Sequence, residues 1–281
     1  MGTNYTNMIK LINFFKLHQN HYVELKKLIN LLGTDPNNVI KIINKIQLLG
    51  YVVEFHPIFG YKLNKFTKTM FPWEVKRNLK TKILGNKIYY FNKLTSTQDF
   101  ALKIVEKHEN GAVIISDTQV EGRGRYGRKW LSDKGSLCFS VIIYPDISVP
   151  MLNFFSIVAA LALSITIEGI IKLKPVIKYP NDVLLNGKKV AGILIDSSIE
   201  YNVIHYVIIG FGINFDIDTD YINNKLQELG SNYHAGTLLH HESFTKIQFL
   251  QSLLFEFESL IKRLEDNDMA YIIQNWNKYS K

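Results

Sequence analysis

Apolar residues recur at the spacing of an α-helix three times near the start of the chain. The intervals predict helices over residues 5–18, 23–32 and 36–49. Gly33 is suited to end the second helix, because glycine readily adopts the left-handed conformation of a helix terminus. Thr34-Asp35-Pro36 has the composition of a helix start, with an N-cap side chain followed by proline in the first turn. The chain is therefore predicted to begin with three short helices.

A β-hairpin pattern follows the third helix. Two short extended runs, residues 51–56 and 61–63, flank Pro57-Ile58-Phe59-Gly60. Three helices followed by a hairpin predict a winged helix-turn-helix, in which the third helix would enter the DNA major groove. Its exposed face is expected to carry side chains that can contact adenine and phosphates, namely Asn37, Asn38, Lys41, Asn44 and Lys45. This helix has no arginine, and winged helices also dock proteins, so a structural role stays open.

From Lys87 onward the pattern alternates between strands and helices. Strands are predicted near residues 88–91, 112–119, 136–144, 176–179, 183–185, 189–196 and 205–211, and helices over 98–108, 154–171 and 238–277. Mixed strands with helices on the faces predict an α/β (α+β) catalytic-type domain. We therefore expect a winged helix-turn-helix over residues 1–64, a linker over 65–85 and a catalytic domain over 86–281.

The most apolar stretch of the chain, Phe154–Ile167, is either a membrane-spanning helix or a helix of the protein core. It has 14 residues and includes Ser156, Ser164 and Thr166. A helix that spans a bilayer needs about 20 consecutive apolar residues. The stretch therefore predicts a buried helix on a sheet, and no membrane partner is expected.

Charge is concentrated at the front of the chain. The net charge is +8, yet residues 1–85 hold 13 lysines and arginines against 4 carboxylates, which leaves 20 against 21 in the remainder. A basic front segment on a near-neutral body favours nucleic acid as a partner. Cys138 is the single cysteine, which excludes an intramolecular disulfide and a cysteine-built zinc site. Because the start also has no signal-peptide pattern, a reducing, cytoplasmic location is expected.

A basic, glycine-rich segment runs from Gly122 to Trp130. Arg123, Arg125, Arg128 and Lys129 fall within seven residues, interleaved with glycines. Glycine permits close backbone approach, and the arginine fork suits carboxylates and phosphates. Most basic runs are solvated loops. The regular glycine spacing and the closing tryptophan instead favour a clamp that orders around a polyanion.

Four further segments place polar or glycine residues at the ends of predicted elements. They are Leu94–Gln98, Lys178–Val183, Gly187–Leu194 and Ile209–Phe215. Taken singly, each has a plain structural interpretation as an N-cap, a turn or a strand end. The first would also offer free helix-terminal amides to a polar or anionic ligand. Their functional meaning depends on their joint order.

That order has a counterpart in a known family. The chain reads Ser-Thr-Gln, Gln-x-x-Gly-Arg-Gly-Arg-x-Gly-Arg-x-Trp, Lys-Tyr-Pro-Asn-Asp, Lys-x-Ala-Gly-Ile-Leu and Gly-x-Gly-Ile-Asn. This succession resembles the biotin–protein ligases over almost the whole chain. The predicted winged helix makes it similar to the bifunctional bacterial form, which also represses the biotin operon. The resemblance implies a mixed-sheet catalytic domain similar to class II synthetases.

The resemblance also implies a reaction and its residues. Biotin and ATP, with Mg²⁺ accompanying the ATP, would form biotinyl-5′-adenylate and pyrophosphate, and the biotinyl group would pass to a lysine of the biotin carboxyl carrier protein of acetyl-CoA carboxylase. No protein nucleophile and no fixed metal site are required. The implied catalytic residues are Lys189, Arg123 and Arg125. The implied biotin contacts are Ser96, Thr97, Gln98, Gln119, Arg123, Gly124, Arg125 and Lys189. The implied adenylate or ATP contacts are Arg125, Arg128, Trp130, Asn181 and Asn214, with Asp182 near Mg²⁺ or the acceptor lysine.

Two departures from the family pattern qualify these expectations. Tyr179 stands where tryptophan is common, a change that keeps an aromatic ring. The family usually continues beyond the position of Lys281 as a small SH3-like β-barrel. Its absence from this sequence would affect ATP affinity and carrier docking more than biotin binding.

The resemblance implies a homodimer in the adenylate-bound state and operator DNA as a further partner. Two alternatives stay open. One is a ligase whose winged helix is only structural, and the other is a biotin-sensing transcription factor without catalysis. A lipoate-type acyl ligase would lack the arginine-glycine loop.

Overall fold

The computed structural model describes residues 2–231, 233–239 and 244–280. The chain divides into two units, one ending at Thr69 and the other beginning at Met70. The division falls inside the segment expected to act as a linker. Each unit buries an apolar core of its own.

The first unit contains the three helices and the hairpin that the apolar periodicity predicts. They are α1 (Gly2–Leu17), α2 (Leu25–Leu32), α3 (Pro36–Leu48), β1 (Val52–His56) and β2 (Gly60–Lys65). The two strands pair antiparallel. The Asp35 side chain caps α3 by accepting the backbone N–H of Asn38 at 3.0 Å. Phe15, Leu28 and Ile43, one from each helix, are fully buried, so burial of the apolar helix faces stabilises this unit.

The second half of the expected linker packs onto the second unit. It forms a short helix, α4 (Pro72–Lys76), and the side chains of Met70 and Leu84 enter the core. The Glu258 carboxylate accepts backbone N–H groups of residues 82–84, including that of Leu84 at 2.7 Å. Residues 70–85 are therefore an ordered part of the second unit.

The second unit is built on a mixed seven-stranded sheet. In chain order its elements are β3 (Ile88–Leu94), α5 (Thr97–Ile104), β4 (Val113–Gln119), β5 (Gly122–Arg123), β6 (Lys129–Trp130), β7 (Leu137–Ile143), α6 (Phe154–Ile171), β8 (Val176–Lys178), β9 (Asp182–Leu185), β10 (Lys188–Glu200), β11 (Val203–Ile213), α7 (Thr219–Glu228), α8 (Lys246–Glu265) and α9 (Met269–Tyr279). The sheet order is β3-β4-β7-β11-β10-β9-β8, with β3 and β4 parallel and the other pairs antiparallel. This architecture confirms the predicted α/β class.

Helices cover the sheet unequally. The main core lies between the sheet and the helices α6, α8 and α9, where the rings of Phe139, Phe211 and Phe257 pack together. The opposite face carries α5 over strands β4, β7 and β11. Much of that second face is therefore left for other side chains or for a ligand.

The apolar helix α6 is a core helix. Together with the turn before it, residues 149–171 are long and apolar enough to cross a membrane by length and composition, but over half of the apolar window is buried in the unit. Its polar side chains are satisfied internally, because Ser164 and Thr166 donate to the carbonyls four residues earlier, at 2.8 Å each. The helix is buried, as the sequence predicts.

Several element boundaries differ from the expectation. The helix expected over 98–108 ends at Ile104 and continues as a short 3-10 turn. The helix expected over 238–277 begins only at Lys246, because Thr245 and Gln248 form a capping box there, and residues 240–243 lie outside the described part. Helix α7 was not predicted, since only two of its residues form a buried apolar face.

Candidate active site

Three glycines lie side by side on the face of the sheet that carries α5. Gly192 of β10 pairs with Gly212 of β11, and Gly210 lies two residues earlier on the same strand. A Cβ added to Gly212 would lie 2.4 Å from Cε2 of the Trp130 indole, and one added to Gly210 would lie 2.6 Å from Oε1 of Gln98. Neighbouring side chains thus approach this backbone too closely for a Cβ. We call these three residues the glycine floor.

The first turn of α5 holds a buried polar cluster beside the glycine floor. The Ser96 hydroxyl accepts the backbone N–H of Asp99 at 3.4 Å as the helix N-cap. The backbone N–H and the hydroxyl of Thr97 donate to Oε1 of Gln119, at 2.7 and 3.1 Å. Three of the implied biotin contacts, Ser96, Thr97 and Gln119, are therefore brought together where β4 ends and the helix dipole favours a polar ligand.

Gln98 lies beneath this cluster and does not face open space. Its Nε2 donates to the carbonyl of Ile208 at 3.0 Å, and its Oε1 accepts the Ser140 hydroxyl at 2.9 Å. The residue is only 3% exposed. The expectation that its amide bonds a ligand is corrected to this extent: both ends of the amide are engaged by the protein. Sequence reasoning missed Ser140, because a serine in an apolar strand carries no functional signal.

The basic segment forms a two-stranded ribbon rather than an open loop. Gly122 pairs with Trp130 and Arg123 with Lys129, and the Gly124 backbone N–H donates to the Arg128 carbonyl at 2.7 Å. Gly124 is implied as a biotin contact, and its backbone N–H is thus already engaged inside the ribbon. The ribbon borders a cavity of about 360 Å³, lined by Asp99, Glu121, Gly122, Arg123, Gly124, Gly127, Arg128 and Lys129.

Arg123 is held by two carboxylates that the sequence did not predict. Its Nη1 lies 2.9 Å from Oδ1 of Asp99 and 3.1 Å from Oδ2 of Asp196. The side chain is about two-fifths exposed, so these ion pairs are screened by solvent. The structure therefore places Arg123 between α5 and β10, and a contact from it to a ligand anion would compete with Asp99 and Asp196.

Arg125 meets a second implied ligand residue. Its Nη1 donates to Oδ1 of Asn181 at 3.2 Å, and its guanidinium lies 5.1 Å from the centroid of the Tyr126 ring. The guanidinium of Arg128, an exposed residue, lies 5.7 Å from the same ring centroid. The Arg125–Asn181 pair thus joins the ribbon to the start of β9.

Lys189 is an enclosed cation of the site. Its Nζ lies 2.8 Å from Oδ1 of Asp182, and its side chain is 13% exposed. The same ammonium lies 5.5 Å from the centroid of the Trp130 ring and 4.7 Å from that of Tyr233. Both distances are within the range of cation–π attraction. Lys188 faces solvent, so the two adjacent lysines have opposite environments.

The Trp130 indole lies on the glycine floor. It contacts Gly192 as well as Gly212, and its Nε1 is buried with no hydrogen-bond partner among the described residues. An unpaired buried N–H costs about 1–3 kcal/mol. A ligand that accepts a hydrogen bond from Nε1 would therefore remove this cost.

Two asparagines implied as adenylate contacts support β10. The Asn181 Nδ2 donates to the carbonyl of Ile193 at 3.1 Å. The Asn214 Nδ2 donates to the carbonyl of Lys189 at 3.1 Å, and its backbone N–H to that of Val190 at 2.8 Å. Asn214 is almost fully buried. Both side chains thus hold the strand that carries Lys189.

The first unit presents four of its five expected DNA contacts to solvent. On α3 the exposed side chains are Asn37, Lys41, Asn44 and Lys45. Asn38 differs, because it is partly buried and its Nδ2 donates to Oγ1 of Thr34 at 2.8 Å. Its expected place on the exposed face is therefore corrected: it belongs to the hydrogen-bonded start of the helix.

Replacing Gly212 with alanine should destabilise the second unit by about 1–3 kcal/mol, the usual cost of overpacking. The added methyl would push the Trp130 ring off the glycine floor, so tryptophan fluorescence should change along with the melting temperature. Gly169→Ala is the matched control, because Gly169 lies in α6 and an added Cβ would have none of the described atoms within 4 Å other than those of its chain neighbours and of its own helix backbone. That change should be neutral or stabilising. Equal effects of the two substitutions would contradict the packing described.

Comparisons with known proteins add sequence and fold relationships. Residues 89–214 match the profile of the Biotin/lipoate A/B protein ligase family. The chain is similar to the bifunctional ligase/repressor BirA of Bacillus subtilis (strain 168), with 30% identity over 233 residues that cover 82% of this chain and 71% of that protein. It is also similar to the biotin–[acetyl-CoA-carboxylase] ligase of Paracoccus denitrificans, with 37% identity over 121 residues, 42% of this chain and 50% of that protein.

A solved structure shares much of this chain's fold. The biotin protein ligase from Aquifex aeolicus in complex with biotin and ATP superposes with a TM-score of 0.52 and 26% identity, over 64% of this chain and 72% of that chain. The matched family region, residues 89–214, contains the glycine floor, the ribbon and Lys189. The similarity therefore extends to the part of the chain where the polar and basic side chains meet.

Proposed function

The chain belongs to the biotin protein ligases, within the biotin/lipoate A/B protein ligase family, and we propose that it attaches biotin to a carrier protein at the expense of ATP. In the proposed reaction, biotin and ATP yield biotinyl-5′-adenylate and pyrophosphate. The biotinyl group then passes to a lysine of the biotin carboxyl carrier protein of acetyl-CoA carboxylase, with release of AMP and of the amine proton. The observation that carries the proposal is Lys189, enclosed beside the glycine floor within hydrogen-bonding distance of Asp182.

The first step needs fixed positive charge. The biotin carboxylate attacks the α-phosphate of ATP, and these two anions repel each other. Preorganised cations at the reacting oxygens lower such a barrier, and positioning of the reactants lowers it further. Lys189 and Arg125 are suited to this role because Asp182 and Asn181 fix their side chains. Arg123 would join them by exchanging its contacts with Asp99 and Asp196 for contacts with the ligand.

The remaining residues divide by the part of the adenylate that each would contact. The polar cluster at the start of α5, with Gln119 and Gly124, would receive biotin. The adenylate portion would be bound by Arg125, Arg128, Trp130, Asn181 and Asn214. Because Asn214 already holds the backbone of Lys189, its contribution includes positioning that lysine.

Magnesium would arrive with the phosphates of ATP. Among residues 2–231, 233–239 and 244–280, no group of three His, Cys, Asp or Glu side chains could hold a metal ion. Asp182 would approach Mg²⁺ or the acceptor lysine through its second carboxylate oxygen or by exchanging its contact with Lys189. In the second step the carrier lysine is itself the nucleophile, so the protein needs to supply only orientation and shielding from water.

Transfer of biotin to a carrier domain tests this proposal. The purified protein is incubated with biotin, ATP, Mg²⁺ and a biotin carboxyl carrier domain, and biotinylated lysine is detected by mass spectrometry. We expect label on one carrier lysine that depends on both biotin and ATP. A carrier that stays unmodified while the protein binds biotin would favour the alternative of a biotin-sensing transcription factor without catalysis.

We further propose that the first unit is a winged helix-turn-helix that binds operator DNA, with biotinyl-5′-adenylate as corepressor and a homodimer as the binding form. The exposed asparagines and lysines of α3 support this, as does the repressor activity named for the Bacillus subtilis relative. The cytoplasm is the location that fits both activities. The alternative is a ligase in which this unit is structural.

Lys41→Ala should weaken binding to all DNA sequences by a similar factor. It should also reduce the steepness of log K plotted against log salt concentration by roughly one, the effect of one lost phosphate contact. Gel shifts with a two-half-site operator, with and without adenylate, measure both quantities. Lys10→Ala is the control, since Lys10 is an exposed lysine of α1 outside the proposed contact face. Binding that is absent with and without adenylate would support the structural alternative.

A further inference from the structure

A short segment after α7 runs beside Lys189 and carries an aromatic ring into the site. The Lys189 backbone N–H donates to the His234 carbonyl at 2.8 Å, and the Gly236 N–H donates to the Lys189 carbonyl at 2.8 Å. These bonds form an isolated parallel bridge between Lys189 and Ala235. Tyr233 is thereby fixed next to the lysine although 44 positions separate the two along the chain. No spacing in the sequence predicts this contact.

The Lys189 ammonium lies close to two rings and one carboxylate. The Tyr233 centroid is the nearer ring, at 4.7 Å, the Trp130 centroid lies at 5.5 Å, and Oδ1 of Asp182 lies at 2.8 Å. Burial raises the pKa of the Tyr233 phenol, Asp182 raises it further, and Arg128 lowers it. The phenol therefore stays neutral around pH 7, and its ring presents the π face that attracts a cation.

An aromatic ring and a carboxylate hold an ammonium with different consequences. The carboxylate neutralises the charge, so an anionic ligand must compete with it. A ring attracts the cation through its quadrupole and leaves the positive charge available. A lysine side chain also loses considerable rotamer entropy when it is fixed. Rings near Lys189 would keep its ammonium in place while the contact with Asp182 is exchanged for a ligand oxygen.

We propose that Tyr233 is a positioning residue for Lys189, which it holds by a cation–π contact during formation of the adenylate. The inference rests on the proposed ligase function for its kinetic consequence. The contact itself can be tested without that function, because the Tyr233 ring shields one side of the Lys189 amine.

Amine labelling tests the contact directly. The unliganded protein is treated with an amine-acylating reagent at low conversion, and labelling rates of individual lysines are read by peptide mass spectrometry. Tyr233→Leu should raise the rate at Lys189 several-fold, whereas Tyr233→Phe, which keeps the ring, should leave it unchanged. Lys188, exposed and adjacent, is the internal control and should label equally in all variants. An unchanged Lys189 rate in Tyr233→Leu would overturn the proposal.

Kinetics test the consequence. Tyr233→Leu should lower kcat for biotin-dependent pyrophosphate release roughly 3- to 30-fold, the range of a partly desolvated cation–π contact, with KM for biotin nearly unchanged. Tyr233→Phe should retain the wild-type kcat. Tyr271→Leu is the matched control, because it removes the cation–π contact between Arg263 of α8 and Tyr271 of α9, and it should leave kcat unchanged. Equal loss in the Leu and Phe variants, or none in either, would overturn the positioning role.

The two experiments separate failure of the inference from failure of the proposed function. A wild-type protein that releases no pyrophosphate would contradict the ligase proposal, and the labelling of Lys189 would still decide whether Tyr233 holds it. An active wild type with an unaffected Tyr233→Leu variant would reject the inference alone.

Discussion

Lys189→Met should reduce biotin-dependent pyrophosphate release by roughly 10²- to 10³-fold, the loss typical when a charge-stabilising donor is removed from an active site. Methionine keeps an unbranched chain of similar length but has no ammonium to meet the reacting carboxylate and phosphate. The rate is measured at saturating biotin and ATP, so that the loss reports kcat. Lys188→Met is the control, since Lys188 is exposed beside the site. A loss below tenfold would contradict the catalytic role.

The Lys189 substitution has a second effect that must be separated from the first. Without the ammonium, Asp182 loses its partner at 2.8 Å and remains a partly buried carboxylate. The double variant Lys189→Met with Asp182→Asn removes this unpaired charge. We expect it to recover thermal stability while activity stays low. Recovery of activity together with stability would show that the single substitution acts through folding.

Arg125→Ala should release biotinyl-5′-adenylate roughly 10- to 100-fold faster, because a charge-assisted hydrogen bond is worth about 1.5–3 kcal/mol. The substitution removes the donor to Asn181 and the cation that would face the adenylate phosphate. Adenylate formed in the absence of carrier is separated from the protein, and the free and bound fractions are quantified over time. Slow, wild-type release from the variant would contradict the role of Arg125.

A matched charge change in the same ribbon controls the Arg125 prediction. Lys129→Ala also removes one positive charge, but Lys129 is exposed and none of the described residues forms an ion pair with its side chain. Its adenylate should dissociate at the wild-type rate. Equal leakage from both variants would mean that net ribbon charge, rather than the position of Arg125, retains the ligand.

The fold followed from the sequence where a local pattern reports packing. The apolar periodicity of α3, with Asp35 and Pro36 at its start, specifies that helix. The uniformly apolar sequence of α6 likewise predicts a helix buried against the sheet. Helix α7 was missed because Ile222 and Leu226 alone provide its buried face. Local pattern thus predicts an element only when enough of its surface is buried.

The candidate site was predicted in its members but not in its contacts. The order of the motifs identified Lys189, Arg123 and Arg125 as site residues. It did not predict that Asp99 and Asp196, which lie 24 and 73 positions from Arg123 in the sequence, would contact it in the fold. Tyr233 was missed for the same reason. Gln98 was identified, but its inward orientation depends on the Ser140 hydroxyl. Long-range pairing of strands, which local patterns do not encode, determines these contacts.

The most direct test of the proposed chemistry is to isolate the intermediate from the protein. The wild-type protein is incubated with biotin, ATP and Mg²⁺ without carrier, quenched with acid, and analysed for biotinyl-5′-adenylate by chromatography and mass spectrometry. The proposed mechanism predicts adenylate approaching one equivalent per protein in the wild type and little in Lys189→Met. Biotin recovered unchanged from the wild type, with no adenylate and no pyrophosphate, would contradict it.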